Sequence, residues 1–280
     1  MVEPCDVAVV GSLHLDIMVK GPHLPALDET VIGSTWSFKC GGKGGNQAVA
    51  AAKAGATTVF VGRVGDDDFG KTLLANLGQA GIDRARIIVD DSIGSGMSVA
   101  IENADGGYGA VVVSGANRRI EAAQFDGLRA KVLLLQNEVD PAINLQAARA
   151  LKAGGAYVIH NMAPFLAVDL ALLAMTGVVI VNRVEALAMT SEKNTAKAAA
   201  IIAGLGCDAI VTAGEGGCHV AKRDGAVAYV PAVAVKVQST HGAGDVFCGV
   251  LAASLASGAG LADATTTAST AAARHVSGVA

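Results

Sequence analysis

Short runs of Val, Ile and Leu recur along the chain and alternate with segments of helical length. The apolar runs lie at 6–11, 57–62, 131–136, 156–160, 178–182 and 208–212. The helix-length segments between them are 44–54, 68–80, 141–153, 183–190 and 194–204. This alternation predicts a mainly parallel sheet covered by helices on both faces, which is a three-layer αβα sandwich. Ligands of such sheets bind beyond the carboxyl ends of the strands.

Two stretches have strand patterns with no helix between them. The first pairs 13–20 with 30–39, and the second pairs 96–103 with 107–114 through a predicted turn at 104–107. We interpret them as a small β-sheet lid built from inserts at about 13–39 and 96–114 in a single domain, 1–280. Such a lid would exclude water from a site beneath it. The alternative is an ordinary extension of the sheet edge.

Composition narrows the class of protein. The chain has 280 residues, is 52% hydrophobic and 16% charged, and carries a net charge of −4, which fits one large core. Its 21 Lys and Arg residues form no basic stripe, so we expect no nucleic-acid partner. The apolar run 163–181 contains Asp169 and Gly177. A charge near mid-bilayer costs about 2.5–3.5 kcal/mol, so we interpret this run as a helix turning into a buried strand and expect no membrane partner.

The cysteines indicate a reducing compartment. They are Cys5, Cys40, Cys207, Cys218 and Cys248, and no two form a C-x-x-C pair. Neither a disulfide framework nor a zinc site is indicated. The N-terminal residues show no basic segment followed by a long apolar core, so no signal peptide is predicted and we expect a cytoplasmic protein.

Residues 40–56, CGGKGGNQAVAAAKAGA, place four glycines around a lysine at the start of a predicted helix. The nucleotide-binding loop pattern fails, because Lys43 is followed by Gly44 and not by Ser or Thr. The glycines also miss the G-x-G-x-x-G spacing. A glycine run nevertheless lets a ligand approach the backbone, and the free N–H groups of a helix start favour a polar or anionic partner. We therefore favour a ligand-facing loop over a plain tight turn.

A second glycine cluster occurs at 239–258, where Gly242, Ala243 and Gly244 precede Asp245 and a helix of small residues. Backbone N–H groups exposed at such a helix start can hold developing negative charge. Asp245 could either cap the helix or take a proton from a substrate hydroxyl, and because capping by Asp is common, this cluster alone favours the cap. Cys248, one helical turn later, fits a buried packing thiol better than a redox sensor.

The order of several motifs resembles that of the ribokinase family of carbohydrate kinases, also called the phosphofructokinase-B type. The resemblance covers nearly the whole chain. The motifs are GSLHLDIMV at 11–19, DET at 28–30, GGKGGNQAVAAAKAGA at 41–56, GRVGDDDFG at 62–70, SGAN at 114–117, NRVE at 182–185, VTAGEGG at 211–217 and THGAGDVFCG at 240–249. Either glycine cluster alone would be weak evidence, whereas both in this order are specific.

The resemblance implies that the first glycine loop binds the acceptor. The residues implied to contact it are His14, Asp16, Gly42, Lys43, Asn46, Glu138 and Asp245. Carboxylates accept hydrogen bonds from hydroxyls while Lys and Asn donate them, which suits a neutral polyhydroxyl compound. Many relatives have asparagine where this chain has His14, which we expect to face the acceptor together with Asp16, two residues on. The alternatives are that His14 packs under the lid, that Asp16 is an exposed lid charge and that Glu138 is a solvated strand end.

The resemblance further implies that the second glycine loop binds phosphate. Asp245 would be the catalytic base, with Gly242, Ala243 and Gly244 as the anion hole. The implied ATP contacts are Asn182, Thr212, Gly214, Gly217, Gly242 and Gly244. Asn182 and Glu185 would organise Mg²⁺ through water. Ser239 and His241 mark a possible monovalent-cation site, but potassium-activated relatives have aspartate at position 239, so activation by K⁺ is left open.

The implied activity is in-line transfer of the γ-phosphoryl group of ATP to a hydroxyl of ribose or a related pentose. A nucleoside kinase on the same fold is the alternative. A sugar-sensing domain without turnover is a third reading, and the intact Asp245, Asn182 and Glu185 disfavour it. A homodimer formed through the β-lid is expected as well.

Overall fold

A computed structural model of the protein describes residues 4–103 and 107–278. Most of the predicted turn at 104–107 lies outside these residues. The strands are β1 Cys5–Val10, β2 His14–Gly21, β3 Thr35–Gly41, β4 Thr58–Gly65, β5 Asp83–Asp90, β6 Met97–Asn103, β7 Tyr108–Val113, β8 Ala130–Gln136, β9 Tyr157–Asn161, β10 Val178–Asn182, β11 Asp208–Thr212, β12 Cys218–Ala221 and β13 Val227–Val230. The helices are α1 Lys43–Lys53, α2 Asp68–Gln79, α3 Pro141–Ala153, α4 Leu170–Met175, α5 Arg183–Thr190, α6 Thr195–Ala203, α7 Ala243–Ala256 and α8 Leu261–Val276.

The large sheet has nine strands in the order β13-β12-β11-β10-β9-β8-β1-β4-β5. The seven strands from β11 to β5 pair in parallel, and β12 and β13 add an antiparallel edge. Alternate residues of the central strand β1 face opposite layers: Val7 and Val9 join one apolar cluster, and Ala8 and Val10 join another. All four are fully buried, which is why this strand reads as a continuous apolar run. The predicted αβα sandwich is confirmed.

The predicted lid is a separate four-stranded sheet in the order β3-β2-β6-β7. Strand β2 pairs antiparallel with β3 and parallel with β6, and β6 pairs antiparallel with β7. The predicted strand at 30–39 is wrong for its first five residues, because β3 begins at Thr35. The backbone pairing with β2 starts only where Ser34 N–H donates to the Lys20 carbonyl, 2.8 Å away.

The apolar run 163–181 folds as predicted into a helix, α4, followed by a buried strand, β10. Asp169 caps that helix by accepting from the N–H groups of Ala171 and Leu172. Among the described residues, none of the helices has the length and apolar character needed to cross a bilayer.

Helices α1 and α7 pack against each other and bring their first turns together. Gly249 of α7 allows the close approach, because a Cβ at this position would lie 2.6 Å from the Cβ of Ala50 on α1. The start of α1 in turn presses on the connection between β1 and β2: a Cβ on Gly44 would lie 2.7 Å from the Cα of Gly11. Both helix starts therefore lie at the carboxyl end of β1, where ligands of such sheets bind.

Candidate active site

Asp245 lies between the first turns of the two helices. Asn46 donates from Nδ2 to Oδ2 of Asp245, and Gln47 donates from Nε2 to Oδ1, both at 3.0 Å. Asp245 is 8% exposed, and burial raises its pKa. The charge of Lys43 and the two donated hydrogen bonds oppose that rise. The carboxylate is thus held by donors on α1 while its proton affinity stays above that of an ordinary aspartate.

Asp245 does not cap its own helix. The N-cap of α7 is Gly242, with φ 81°, and among residues 4–103 and 107–278 no side chain caps this helix start. The hydrogen bonds of Asp245 go to Asn46 and Gln47 on the neighbouring helix instead. The capping interpretation that this cluster alone favours therefore has no support, and the carboxylate is available for chemistry.

The start of α7 is open. Within residues 4–103 and 107–278, the N–H groups of Gly244 and Asp245 have no protein acceptor, and Ala243 makes a long bond of 3.3 Å to the Thr240 carbonyl. A Cβ on Gly244 would meet no atom within 4 Å. Unsatisfied N–H groups facing open space at a helix start form a site suited to an anion.

Glu138 organises the start of α1. Its Oε2 accepts from the backbone N–H of Lys43 at 2.8 Å and from the hydroxyl of the fully buried Ser12. Glu138 is therefore an anchored carboxylate rather than a solvated strand end. Gly42, with φ 85°, packs against the connection between β1 and β2, and a Cβ at position 42 would be 2.7 Å from the Ser12 carbonyl oxygen. The loop is locked in place, with Oε1 of Glu138 left for a ligand.

Lys43 lies among three carboxylates. Burial alone would lower its pKa, but Asp245, Glu138 and Glu185 raise it overall. Lys43, Asp245 and Glu185 line one cavity of about 190 Å³, together with Asn182, Thr212, Gly242 and Gly244. The structure thus brings into one space residues that the sequence assigned to the acceptor, to ATP and to the metal.

Asn182 and Glu185 form a capping box at the start of α5. Oδ1 of Asn182 accepts from the N–H groups of Val184 and Glu185, while Oε2 of Glu185 accepts from the Asn182 N–H at 2.7 Å. Burial raises the pKa of Glu185. One oxygen of Glu185 and the amide nitrogen of Asn182 remain for other partners, so the capping role and a ligand role are compatible.

The remaining predicted ATP contacts lie at the end of the next strand. Thr212 pairs in register with Asn182, since β10 and β11 are neighbours. Gly214, with φ 57°, follows Thr212, and a Cβ on it would meet no atom within 4 Å. Gly217, with φ 72°, packs under the Val230 carbonyl and the ring of Tyr229. Gly214 is therefore open to a ligand, whereas Gly217 serves the turn into β12.

The lid contributes His14 and Asp16. Oδ1 of Asp16 accepts from the Ser98 hydroxyl on β6, so Asp16 is not a free surface charge. His14 is 4% exposed and its Nδ1 lies 3.9 Å from Oε2 of Glu138. Its Nε2 is buried and has no hydrogen-bond partner in the part of the chain that the structure describes. A buried ring nitrogen of this kind calls for a partner, which a ligand hydroxyl can supply.

Ser239 and His241 lie in the loop before α7. Ser239 N–H donates to the Val276 carbonyl at 3.3 Å, and the His241 carbonyl is 3.0 Å from Nε2 of His275. Burial lowers the pKa of His241, and Lys39 and Lys43 lower it further. His241 also lines a groove of about 770 Å³ between α1, α7 and α8. The carbonyl that would face a monovalent cation is thus already bonded to a side chain.

Four polar residues of the site lie outside the sequence prediction: Ser12, Gln47, Ser98 and Asn161. Gln47 stands in the first glycine motif next to Asn46, which is the one signal that could have found it. Ser12, Ser98 and Asn161 lie in or next to apolar strand patterns, where only the three-dimensional pairing reveals their partners. Cys248 is 1% exposed, and burial raises its pKa well above the ordinary value, which fits a packing thiol.

Comparison with known proteins decides the family. Residues 5–278 match the model of the pfkB family carbohydrate kinases. The chain belongs to the pfkB family of carbohydrate kinases. Ribokinase from Mus musculus is 34% identical over 267 residues, which cover 91% of this chain and 83% of that protein. Deoxyribokinase from Salmonella typhi is 31% identical over 260 residues, which cover 88% of this chain and 84% of that protein.

The fold comparison agrees with the family. A structure of Arabidopsis thaliana ribokinase complexed with ribose and ATP superposes with a TM-score of 0.90 and 28% identity, covering 98% of this chain and 93% of that one. This carbohydrate kinase therefore has the ribokinase-like fold. It is an ATP-dependent sugar kinase, a phosphotransferase whose acceptor is a sugar hydroxyl.

Proposed function

We propose that the protein transfers the γ-phosphoryl group of ATP to a hydroxyl of ribose or a related pentose, with Asp245 as the base. The observation that carries this proposal is the position of Asp245. It is held by α1, which presents the loop for the acceptor, and it stands at the open start of α7. A base within reach of both a hydroxyl and an anion site is the arrangement that phosphoryl transfer requires.

The acceptor lies between the lid and the start of α1 in this proposal. Asp16 and Glu138 accept from its hydroxyls, Lys43 donates, and Nε2 of His14 finds its missing partner there. The relatives that phosphorylate ribose and deoxyribose support a five-carbon sugar. Closure of the lid sheet over the sugar would remove water from the reacting groups.

The γ-phosphoryl group meets the N–H groups of Gly244 and Asp245, with Gly242 allowing the turn. Positioning and charge stabilisation supply most of the rate, because phosphoryl transfer needs little covalent help from the protein. Asp245 takes the proton of the attacking hydroxyl, and the oxygen of that hydroxyl forms the new bond to phosphorus as ADP leaves. Lys43 balances negative charge in the same cavity.

Magnesium fits the donors at the start of α5. Among the described residues no group of three or more His, Cys, Asp or Glu side chains could hold a metal ion alone. Glu185 keeps one free carboxylate oxygen, which suits a Mg²⁺ ion that retains most of its water and arrives with ATP. When bound, the ion would neutralise charge on the phosphates.

We also propose a homodimer that forms through the lid. The register of the lid strands places Ile17, Val19, Trp36 and Phe38 on the face opposite Asp16. Trp36 is 66% exposed and Phe38 is 52% exposed, and their rings pack edge to face with centroids 5.1 Å apart. An exposed apolar sheet face of this kind supports self-association, since a two-fold contact would cover the same patch on both copies. The five free cysteines support a cytoplasmic location.

A coupled ADP-release assay over a panel of sugars and nucleosides tests the acceptor. The panel includes ribose, 2-deoxyribose, arabinose, fructose, adenosine and inosine, each with ATP and Mg²⁺. Ribose or another free pentose should give the highest kcat/KM. A nucleoside that exceeds every sugar would contradict the proposal and identify a nucleoside kinase. ATP hydrolysis that no acceptor accelerates would remove the pentose acceptor altogether.

A further inference from the structure

Gln47 lies beside Asp245 and is fully buried. Its side-chain amide gives one hydrogen to Oδ1 of Asp245 and the other to Oδ1 of Asn161, both at 3.0 Å. Its carbonyl oxygen accepts from Nε2 of Gln136 at 2.8 Å. All three bonds join side chains inside the protein, where a glutamine without partners would be strongly destabilising. Because the Gln47 amide makes all three of these hydrogen bonds, it cannot rotate without breaking them.

The orientation of the Gln47 side-chain amide is fixed, through Asn161, by a backbone carbonyl. Asn161 donates from Nδ2 to the carbonyl of Ile180 at 3.2 Å, and that carbonyl can only accept. Oδ1 of Asn161 must therefore face Gln47, which in turn must present its NH₂ group. The same NH₂ group then has its second hydrogen directed at Asp245.

Building on the proposed function, we propose that Gln47 is a positioning residue: its amide fixes the rotation of the Asp245 carboxylate and holds it in the ionised, proton-accepting form. A hydrogen bond donated to a carboxylate favours the charged form. Burial acts in the opposite direction and raises the pKa of Asp245. Gln47 thus counters burial at the one carboxylate that must accept a proton.

Other charged or titratable groups also face Asp245 from the elements packed around it. They are Lys43 on α1, Glu138 after β8, Glu185 on α5, His241 in the loop before α7, and Cys248 on α7. None of them is altered by a substitution at Gln47. A change in the pH dependence of that variant therefore reports on the Gln47–Asp245 bond and not on these neighbours.

The test compares Gln47→Met with a matched control, Gln124→Met. Gln124 is also a buried glutamine with two donated bonds, to the Gly62 and Arg86 carbonyls, and one accepted bond, from the Glu121 N–H. It lies away from the active site. The kcat and KM for ribose and ATP are measured from pH 4 to pH 9, and the melting temperature of each variant is recorded.

For Gln47→Met we expect kcat on the pH plateau to fall about 10–100-fold and the acid limb to move up by about one pH unit. The direction follows because the carboxylate must be ionised to act, and its pKa rises when the donated bond is lost. KM for ATP should stay unchanged, since Gln47 does not reach the ligand cavity. Gln124→Met should lose thermal stability yet keep the wild-type acid limb.

Gln136→Met extends the test if Gln47→Met does not fold. This substitution removes the hydrogen bond that Gln136 donates to the carbonyl oxygen of Gln47. It should therefore shift the acid limb in the same direction by a smaller amount. An unmoved acid limb in a folded Gln47→Met variant, or in Gln136→Met where that is the variant that folds, overturns the positioning role. A wild-type protein without acceptor-dependent ADP release would instead overturn the proposed function, so the two failures are distinguishable.

Discussion

Helices α1 and α7 both begin after a glycine with a positive φ angle, yet they differ in whether the backbone N–H groups of the first turn have an acceptor. At α1, the N–H of Lys43 already donates to Glu138, and Gly42 is enclosed by the connection between β1 and β2. At α7, the N–H groups of Gly244 and Asp245 have no acceptor among the described residues, and a Cβ on Gly244 would enter open space. A helix start that holds a carboxylate repels a second anion, whereas an empty one attracts it. Similar sequences therefore give one helix start with a bound carboxylate and one open helix start, which we propose as the acceptor loop and the phosphate loop.

The largest effect is expected from the residue where the two loops meet. Asp245→Asn removes the proton acceptor but keeps the shape of the side chain, so turnover should fall roughly 10²–10⁴-fold. ATP binding should stay close to wild type, because the N–H groups at the start of α7 do not depend on this side chain. The melting temperature should fall modestly, because the new amide can accept from only one of the two donors, Asn46 and Gln47. Turnover retained in Asp245→Asn would show that Asp245 is not the base.

Removing the charge of Glu138, which anchors the α1 loop, should affect the kinetic constants for the acceptor and not those for ATP. In Glu138→Gln, the Lys43 N–H and the Ser12 hydroxyl keep an acceptor oxygen but lose its charge; a hydrogen bond to a charged group contributes about 1.5–3 kcal/mol, against about 0.5–1.5 kcal/mol for a neutral one. The kcat/KM for ribose should fall about 10–100-fold, with KM for ATP unchanged. Asp140→Asn is the control, because Asp140 only caps the nearby helix α3 and asparagine caps equally well. An equal loss in kcat/KM for ATP would contradict the proposal that the α1 loop binds the acceptor and the start of α7 binds the phosphates.

Alanine substitutions at Gly42 and Gly244 compare the free space at the start of α1 with that at the start of α7. Gly42→Ala should lower stability by about 1–3 kcal/mol, because position 42 has φ 85° and a Cβ there lies 2.7 Å from the Ser12 carbonyl oxygen. Gly244→Ala should change stability by less than about 0.5 kcal/mol, since it enters open space on the surface of the cavity. Its methyl group should nevertheless lower kcat by narrowing the anion site. Thermal unfolding gives the first comparison and steady-state kinetics the second, and equal losses of stability would contradict it.

A smaller effect is expected at the lid. If Nε2 of His14 bonds an acceptor hydroxyl, His14→Asn should change the ratio of kcat/KM between acceptors by several-fold to about tenfold. The panel of sugars and nucleosides supplies that ratio. A uniform loss across the panel, with unchanged ratios, would mean that His14 only packs beneath the lid.

The smallest effect is expected from monovalent cations. Ser239 carries no carboxylate, and the His241 carbonyl is already 3.0 Å from the His275 ring. Replacing Na⁺ by K⁺ at constant ionic strength should therefore change the rate little. A large and saturable activation by K⁺ would show that a cation displaces the His275 contact.

The sequence predicts the central strands well because each is buried on both faces and reads as an apolar run. Strand β5 is missed because it is an edge strand with the polar sequence DRARIIVD, and β12 and β13 are missed because each has only four residues. The first half of the predicted strand at 30–39 fails because, within the described residues, it has no backbone pairing partner before Ser34. These errors arise where tertiary pairing, not local pattern, decides the structure.

The same distinction applies to the site. The two glycine motifs, with Asp245, Asn46 and Lys43, were predictable because each belongs to a contiguous pattern. Gln47 binds Asp245 across 198 positions of sequence and Asn161 across 114. Nothing in the spacing of single residues reveals such a pairing. Whether each predicted residue contacts a ligand stays a prediction, which the substitutions above test.

The close contact of α1 and α7 at Gly249 has a consequence for how acceptor preference can diverge. Because these two helices pack directly, the αβα body sets the separation between the proposed acceptor loop at α1 and the proposed phosphate loop at α7. His14 and Asp16 belong instead to the lid, a separate sheet. If His14 and Asp16 contact the acceptor, as proposed, mutations in the lid will alter which sugar is accepted while the path of the phosphoryl group stays the same. The fold allows new acceptor preferences to evolve without rebuilding the catalytic centre.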